Sequence, residues 1–164
     1  MTSKSTLRFD SCGSIETPVG HVSVFVRDGK VVFLEMTETG APNDAKSPEV
    51  DAALAELREY FNGERRDFTV PVELDGTDFQ RAVWKQIEGI PYGQTMSYAQ
   101  IATAIGKPLA SRAVGGAVGS NPVPLIVGCH RVMGASGRIT GYSGGNGIPT
   151  KRWLLALEQI ESAD

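Results

Sequence analysis

The hydrophobic period of this chain changes at Asp75-Gly76, and that change limits the folds open to it. Upstream, residues 7–17 and His21-Val22-Ser23-Val24-Phe25-Val26 read as strands separated by the turn Thr17-Pro18-Val19-Gly20. Asp28-Gly29 is a strong hairpin signal, and Val31-Val32-Phe33-Leu34 is the returning strand. Residues 38–48 form a polar loop. Ser47-Pro48-Glu49 then opens a helix through Phe61, with Gly63 just past its end. Its apolar residues Val50, Ala53, Leu54, Leu57 and Phe61 recur at helical spacing and predict one buried face. Phe68-Thr69-Val70-Pro71-Val72 predicts an edge strand or an extended linker.

Downstream the chain reads as short helices. Thr77 or Asp78 caps the first, which runs to Glu88 with Phe79, Ala82, Val83, Trp84 and Ile87 toward a core. Ile90-Pro91-Tyr92-Gly93 breaks it. Ser97 starts a second helix through Ile105, and Gly106-Lys107-Pro108 stops that one. A third runs from Ala110 or Ser111 to about Gly119. Two short helices joined by a glycine-containing turn make a helix-turn-helix pattern. Pro149 opens a last helix carrying Trp153, Leu154, Leu157, Glu158 and Ile160. The chain is therefore expected to be α+β. A sheet-plus-helix domain at 1–76 precedes a mostly helical, winged-helix-like domain at 77–164.

Between these helices Leu125-Ile126-Val127 reads as buried strand or extended core, approached through Pro122 and Pro124. It delivers Gly128-Cys129-His130-Arg131. A thiol at the edge of a core is either an inert packed cysteine or, beside an imidazole, a thiolate nucleophile. Adjacent side chains diverge in a strand, so Cys129 and His130 cooperate only if the backbone turns there. A carboxylate at Glu158 could orient the histidine. The adjacent Gly115 and Gly116 cost about 1 kcal/mol each inside a helix. Such small residues allow either tight helix packing or the close approach of a nucleic-acid backbone.

Charge favours the second use. Residues 1–76 hold 8 basic and 14 acidic side chains, and residues 77–164 hold 8 and 5. No Asp or Glu lies between Glu88 and Glu158, a stretch that holds Lys107, Arg112, Arg131, Arg138, Lys151 and Arg152. A polyanion is drawn to such a surface. The two cysteines, Cys12 and Cys129, form neither a disulfide framework nor a zinc site and suit a reducing cytoplasm. Nothing in the chain is long and apolar enough to span a membrane. The sequence is read as a soluble, cytoplasmic protein.

Eight segments in this order resemble the O6-alkylguanine-DNA alkyltransferases, also called methylated-DNA–protein-cysteine methyltransferases. They are Phe79-Gln80-Arg81-Ala82-Val83-Trp84, Pro91-Tyr92-Gly93, Ser97-Tyr98, Ser111-Arg112-Ala113-Val114-Gly115-Gly116-Ala117, Asn121-Pro122-Val123-Pro124, Cys129-His130-Arg131-Val132, Gly141-Tyr142-Ser143-Gly144-Gly145 and Trp153-Leu154-Leu155. The resemblance implies a DNA-repair protein that flips O6-alkylguanine out of duplex DNA through the minor groove. The alkyl group then passes irreversibly to its own cysteine. By that resemblance Cys129 is the acceptor, His130 its base through a water, and Glu158 the group that orients His130. Asn121 braces the turn, and Tyr98 holds the base and protonates the leaving guanine. Arg112 fills the gap in the duplex, on a DNA-binding surface with Ser111, Ala113, Gly115 and Gly116. Tyr142, Ser143 and Val132 line the guanine pocket. No cofactor and no metal are implied, and the protein is expected to act as a monomer.

Two departures stand out. Gly128 occupies a position where the family usually has proline, and the segment between Gly145 and Trp153 is slightly longer than usual. A non-catalytic module that binds alkylated DNA and a cysteine hydrolase are the competing readings. The hydrolase leaves the helix-turn-helix and the acid-free run without a purpose.

Overall fold

Asp28 and Gly29 both have positive φ, 52° and 79°, and close a hairpin between β2 (Gly20–Arg27) and β3 (Lys30–Thr37). That conformation matches the right-handed twist of the paired strands. β1 (Ser11–Thr17) adds on the other side of β2, giving an antiparallel sheet in the order β1-β2-β3. Its turn is closed by the Thr17 hydroxyl, which donates to the Gly20 carbonyl at 2.7 Å. The computed structural model describes residues 7–163, and it divides into two compact units between Asp75 and Gly76.

In the first unit α1 (Pro48–Phe61) packs on the sheet. Ser47 caps it by accepting the Val50 N–H at 3.2 Å. The buried face holds Val50, Ala53, Leu54, Leu57 and Phe61 as helical spacing predicts, but also Tyr60 and Glu56. Glu56 is buried because it is bonded. Its carboxylate accepts the N–H groups of Thr69 and Val70, at 2.8 and 3.3 Å, and the Thr69 hydroxyl. The segment it holds pairs with β3 through a single parallel bridge, Val31 with Val72. Pro71 fits there because it only accepts, from the Val31 N–H at 2.9 Å.

The second unit contains α2 (Asp78–Glu88), β4 (Met96–Ser97), α3 (Tyr98–Ala104), α4 (Ser111–Gly119), β5 (Val132–Met133) and α5 (Ile148–Leu157). Thr77 with Gln80, and Ser97 with Gln100, form capping boxes at the starts of α2 and α3. α3 and α4 form the helix-turn-helix. The Trp84 indole N–H of α2 donates to the Ala117 carbonyl of α4 at 2.8 Å. Val114, Ala117 and Val118 face inward. A Cβ at Gly116 would meet nothing within 4 Å, and one at Gly115 would touch only the Tyr98 ring at 3.9 Å. Tyr98, at the start of α3, lies near Gly115 but would meet a Cβ there only at ordinary contact distance, so close helix packing requires neither glycine.

Two expectations need correction. Leu125-Ile126 is a turn closed by an isolated bridge between Pro124 and Val127, not a strand or an extended segment; Leu125 is buried and has a φ of 74°. Two prolines strip the approach of donors, so it cannot enter a ladder. Glu158 is the C-cap of α5, not a residue within it. The parallel pair of β4 with β5, Met96 opposite Val132, was not anticipated from the sequence at all.

Trp84→Phe tests the link between α2 and α4. It keeps the packing and removes the indole donor, while Ser120 still donates to the Ala117 carbonyl, so the cost is about 0.5–1.5 kcal/mol. Thermal denaturation should show a clearly lower melting temperature, and an unchanged one would contradict the account.

Candidate active site

The Asn121 side chain builds the turn that carries the thiol. Its Nδ2 donates to the Val127 carbonyl at 2.9 Å, and its Oδ1 accepts the Val123 N–H at 3.0 Å. The loop is thereby tied to its own beginning. Gly128 follows with φ −74° and ψ 63°. It is the centre of an inverse γ-turn, in which the Cys129 N–H donates to the Val127 carbonyl at 2.7 Å. The chain then enters one 3₁₀ turn, Cys129–Arg131. The backbone turns at the Cys-His pair, as cooperation between them requires. Gly128 has a φ open to proline, and its own N–H donates no hydrogen bond among the described residues.

Cys129 is 4 % exposed and sits on the wall of a cavity of about 280 Å³. Tyr98, Gly115, Val118, Tyr142, Ser143 and Lys151 share that wall. Thr140 donates its hydroxyl to the Tyr98 oxygen at 3.3 Å, which leaves the Tyr98 proton to point elsewhere. The Ser143 hydroxyl donates to the Gly119 carbonyl at 2.9 Å and joins the pocket loop to α4. Burial pushes the Cys129 thiol up from its usual value, while Asn121, Tyr142 and the Lys151 ammonium pull the other way. Burial wins, so the resting group is a thiol that needs a base.

His130 is fully buried. Its Nε2–H donates to Glu158 Oε2 at 2.5 Å, which makes Nδ1 the basic nitrogen. Burial holds the imidazole below its usual range despite the carboxylate. Glu158 is 2 % exposed and also accepts from Arg131, Nε to Oε1 at 2.9 Å and Nη2 to Oε2 at 3.0 Å. The Gly93 N–H donates to Oε1 at 3.0 Å. Gly93 has a φ of 81°, a conformation that suits glycine.

Not every expected residue is on this cavity. Val132 is fully buried behind it, its carbonyl accepting from Lys151 Nζ at 2.6 Å. Ser111 lines a second cavity of about 490 Å³ that shares Tyr98 but not Cys129. Arg112, Ala113 and Gly116 are exposed on α4. The acid-free run is less basic on its surface than its composition suggests. Arg131 and Lys151 are buried, which leaves Lys107, Arg112, Arg138 and Arg152 exposed. Those two buried cations were missed as site residues. The signal for Lys151 was its spacing, since Lys151, Leu154, Leu155 and Glu158 share one helical face. Among the described residues no cluster of three His, Cys, Asp or Glu could hold a metal, and no helix is long and apolar enough to cross a membrane.

Residues 11–74 match the family described as 6-O-methylguanine DNA methyltransferase, ribonuclease-like domain, and residues 78–160 match its DNA binding domain. A methylated-DNA–protein-cysteine methyltransferase of Mycobacterium bovis is 46% identical over 151 residues, 89% of this chain and 90% of that protein. One of Mycolicibacterium paratuberculosis is 43% identical over 154 residues, covering 91% and 92%. The crystal structure of Mycobacterium tuberculosis OGT in complex with DNA superposes with a TM-score of 0.81 at 44% identity, covering 91% of this chain and 92% of that one.

The two perturbed groups predict how stability depends on pH. The thiol is raised above 9.0 in the fold, so the unfolded chain releases that proton first and stability is lost above about pH 9. The imidazole is lowered below 6.5, so the unfolded chain takes up a proton first and stability is lost below about pH 6.5. Lys151, held below its usual range by burial, acts on the alkaline side in the opposite sense. Comparison with Cys129→Ala isolates the thiol. That variant should lose less melting temperature above pH 9 than the unaltered protein; parallel curves would contradict the shift.

Proposed function

We propose that this chain, which belongs to the 6-O-methylguanine DNA methyltransferase family of DNA-repair proteins, takes alkyl groups from guanine O6 in duplex DNA onto Cys129. The alkyl transfer is to the protein itself, so each molecule acts once. The observation that carries the assignment to Cys129 is its place on the small cavity, with the neutral His130 and Glu158 behind it. Guanine O6 is buried in a stacked duplex, so the nucleotide has to be extruded at a cost of a few kcal/mol. The pocket reads as the receptor for that base.

The chemistry follows from the donors and acceptors present. The Cys129 proton passes through a water to His130, whose Nε2–H stays on Glu158. The thiolate sulfur attacks the alkyl carbon. An S–C bond forms as the C–O6 bond breaks, and the electron pair leaves with guanine. Tyr98, whose oxygen already accepts from Thr140, supplies a proton to the guanine. Lys151 stabilises the thiolate while it forms, since its ammonium favours the charged sulfur. Asn121 holds the turn on which the sulfur is aimed.

DNA is met by the open face of α4. Its glycines leave room for a backbone to lie close, which supports entry through the minor groove. Arg112, exposed at the start of α4, fills the vacancy left by the extruded nucleotide. Every residue given a role here belongs to one chain, which supports action as a monomer. Two free cysteines support a reducing cytoplasm as its setting.

Intact-mass spectrometry after mixing with duplex DNA containing O6-methylguanine should show one added methyl group per protein. Cys129→Ala should show none while still binding the DNA. Tight binding with the methyl retained on the DNA would identify a non-catalytic binder instead. Arg112→Ala should slow repair in duplex DNA at least about tenfold while leaving reaction with free O6-benzylguanine nearly unchanged, because a free base is never extruded. Equal losses on both would refute its role.

A further inference from the structure

Arg131 and the Pro91-Tyr92-Gly93 segment have no part in the chemistry so far, yet they surround the Glu158 carboxylate. The Arg131 fork meets both carboxylate oxygens, at 2.9 and 3.0 Å. Its Nη1 donates to the Ile90 carbonyl at 2.9 Å, and the guanidinium lies over the Tyr92 ring, 5.7 Å from its centre. The Tyr92 hydroxyl donates to the Leu157 carbonyl at 3.3 Å, beside Glu158. Gly93 supplies its N–H.

A buried carboxylate that faced His130 alone would stabilise the imidazolium. A base that rests protonated cannot take the thiol proton. A bidentate guanidinium cancels the carboxylate charge and still leaves Oε2 to accept from Nε2. The charges facing the imidazole are Glu158, which favours its protonation, and Arg131 and Lys151, which oppose it; the Cys129 thiol is neutral at rest. Gly128 matters to the same group. A Cβ there would stand 3.1 Å from both Cζ and Nη1 of Arg131, tighter than ordinary contact. The fork is pinned by Glu158, Ile90 and Tyr92, so it has little freedom to move aside.

We infer that Arg131 is a positioning residue for the transfer reaction: its guanidinium, given room by Gly128, neutralises and aims Glu158 so that His130 rests as an uncharged base with its proton on Nε2. The inference rests on the assignment of His130 as the base for Cys129.

The test is the pH dependence of alkyl transfer to Cys129 from free O6-benzylguanine, which needs no DNA binding. Arg131→Met should move the midpoint of the acid limb upward by roughly one pH unit, the effect of an uncompensated neighbouring carboxylate. Rates should converge within a few-fold at high pH. Arg131→Lys, which keeps the charge, should return the midpoint to near that of the unaltered protein. Gly128→Ala should move it upward by less. A uniform loss of rate with an unmoved midpoint in Arg131→Met would reduce Arg131 to a structural contact. An unmoved midpoint in Gly128→Ala would remove the glycine from the account. Should Arg131→Met not fold, nitrogen-15 NMR of His130 in the unaltered protein reads the same claim. It should show a neutral ring protonated at Nε2 at pH 7, and an imidazolium there would overturn the inference. Failure of the unaltered protein to take the benzyl group at any pH would refute the proposed function, whatever the state of His130.

Discussion

Glu158 keeps its carboxylate at 2 % exposure because donors from two separate segments converge on it. They are the Gly93 N–H after α2, the His130 imidazole and Arg131 fork of the 3₁₀ turn, with α5 ending at Glu158 itself. Burying an ion costs several kcal/mol unless its oxygens are satisfied, and removing one partner of such a group is typically worth 3–5 kcal/mol. The same bonds therefore hold α5 and the turn together and set the chemistry of the site. A chain that could not place Gly93, His130 and Arg131 around this carboxylate would lose the pocket with its charge balance.

The Cys129 sulfur is positioned from the other side by Asn121. That residue follows α4 directly, so the helix that presents Arg112 and the open glycines leads straight into the turn that holds the thiol. Ser143 ties the pocket loop back to the Gly119 carbonyl at the end of α4. Tyr98 opens α3 and lies beside Gly115 across the same cavity. In the proposed function, recognition and transfer share one short piece of backbone. A shift of α4 on DNA would be felt at the sulfur with few intervening groups.

Much of this was legible from local chemistry. Thr77 and Ser97 announce capped helices, Asp28-Gly29 announces its hairpin, and the α+β class follows from the two periods. The Cys-His pair marks a turn of chain, and the structure brings Tyr98, Gly115, Tyr142 and Ser143 onto the same wall as Cys129. What escaped was set by tertiary contact. A two-residue ladder such as β4 with β5 has no period to read. Leu125 at positive φ follows from Asn121 folding back across the loop, which composition does not encode. Arg131 and Lys151 looked like surface charge because cations are rarely buried; the carboxylate of Glu158 and the carbonyls of Ile90, Val132 and Gly141 make their burial tolerable.

The chain has two free cysteines, both buried, and the account assigns the chemistry to one of them. Cys12 lies in an apolar cluster with Phe25 and Ala41, where its thiol donates to the Pro42 carbonyl at 3.8 Å. Cys129 sits on a cavity with the Lys151 ammonium, next in the chain to His130. Peptide mapping by tandem mass spectrometry after incubation with O6-benzylguanine separates the two directly. The account predicts one benzyl group on the peptide containing Cys129 and none on that containing Cys12. Benzylation of Cys12, or of both to equal extent, would contradict it.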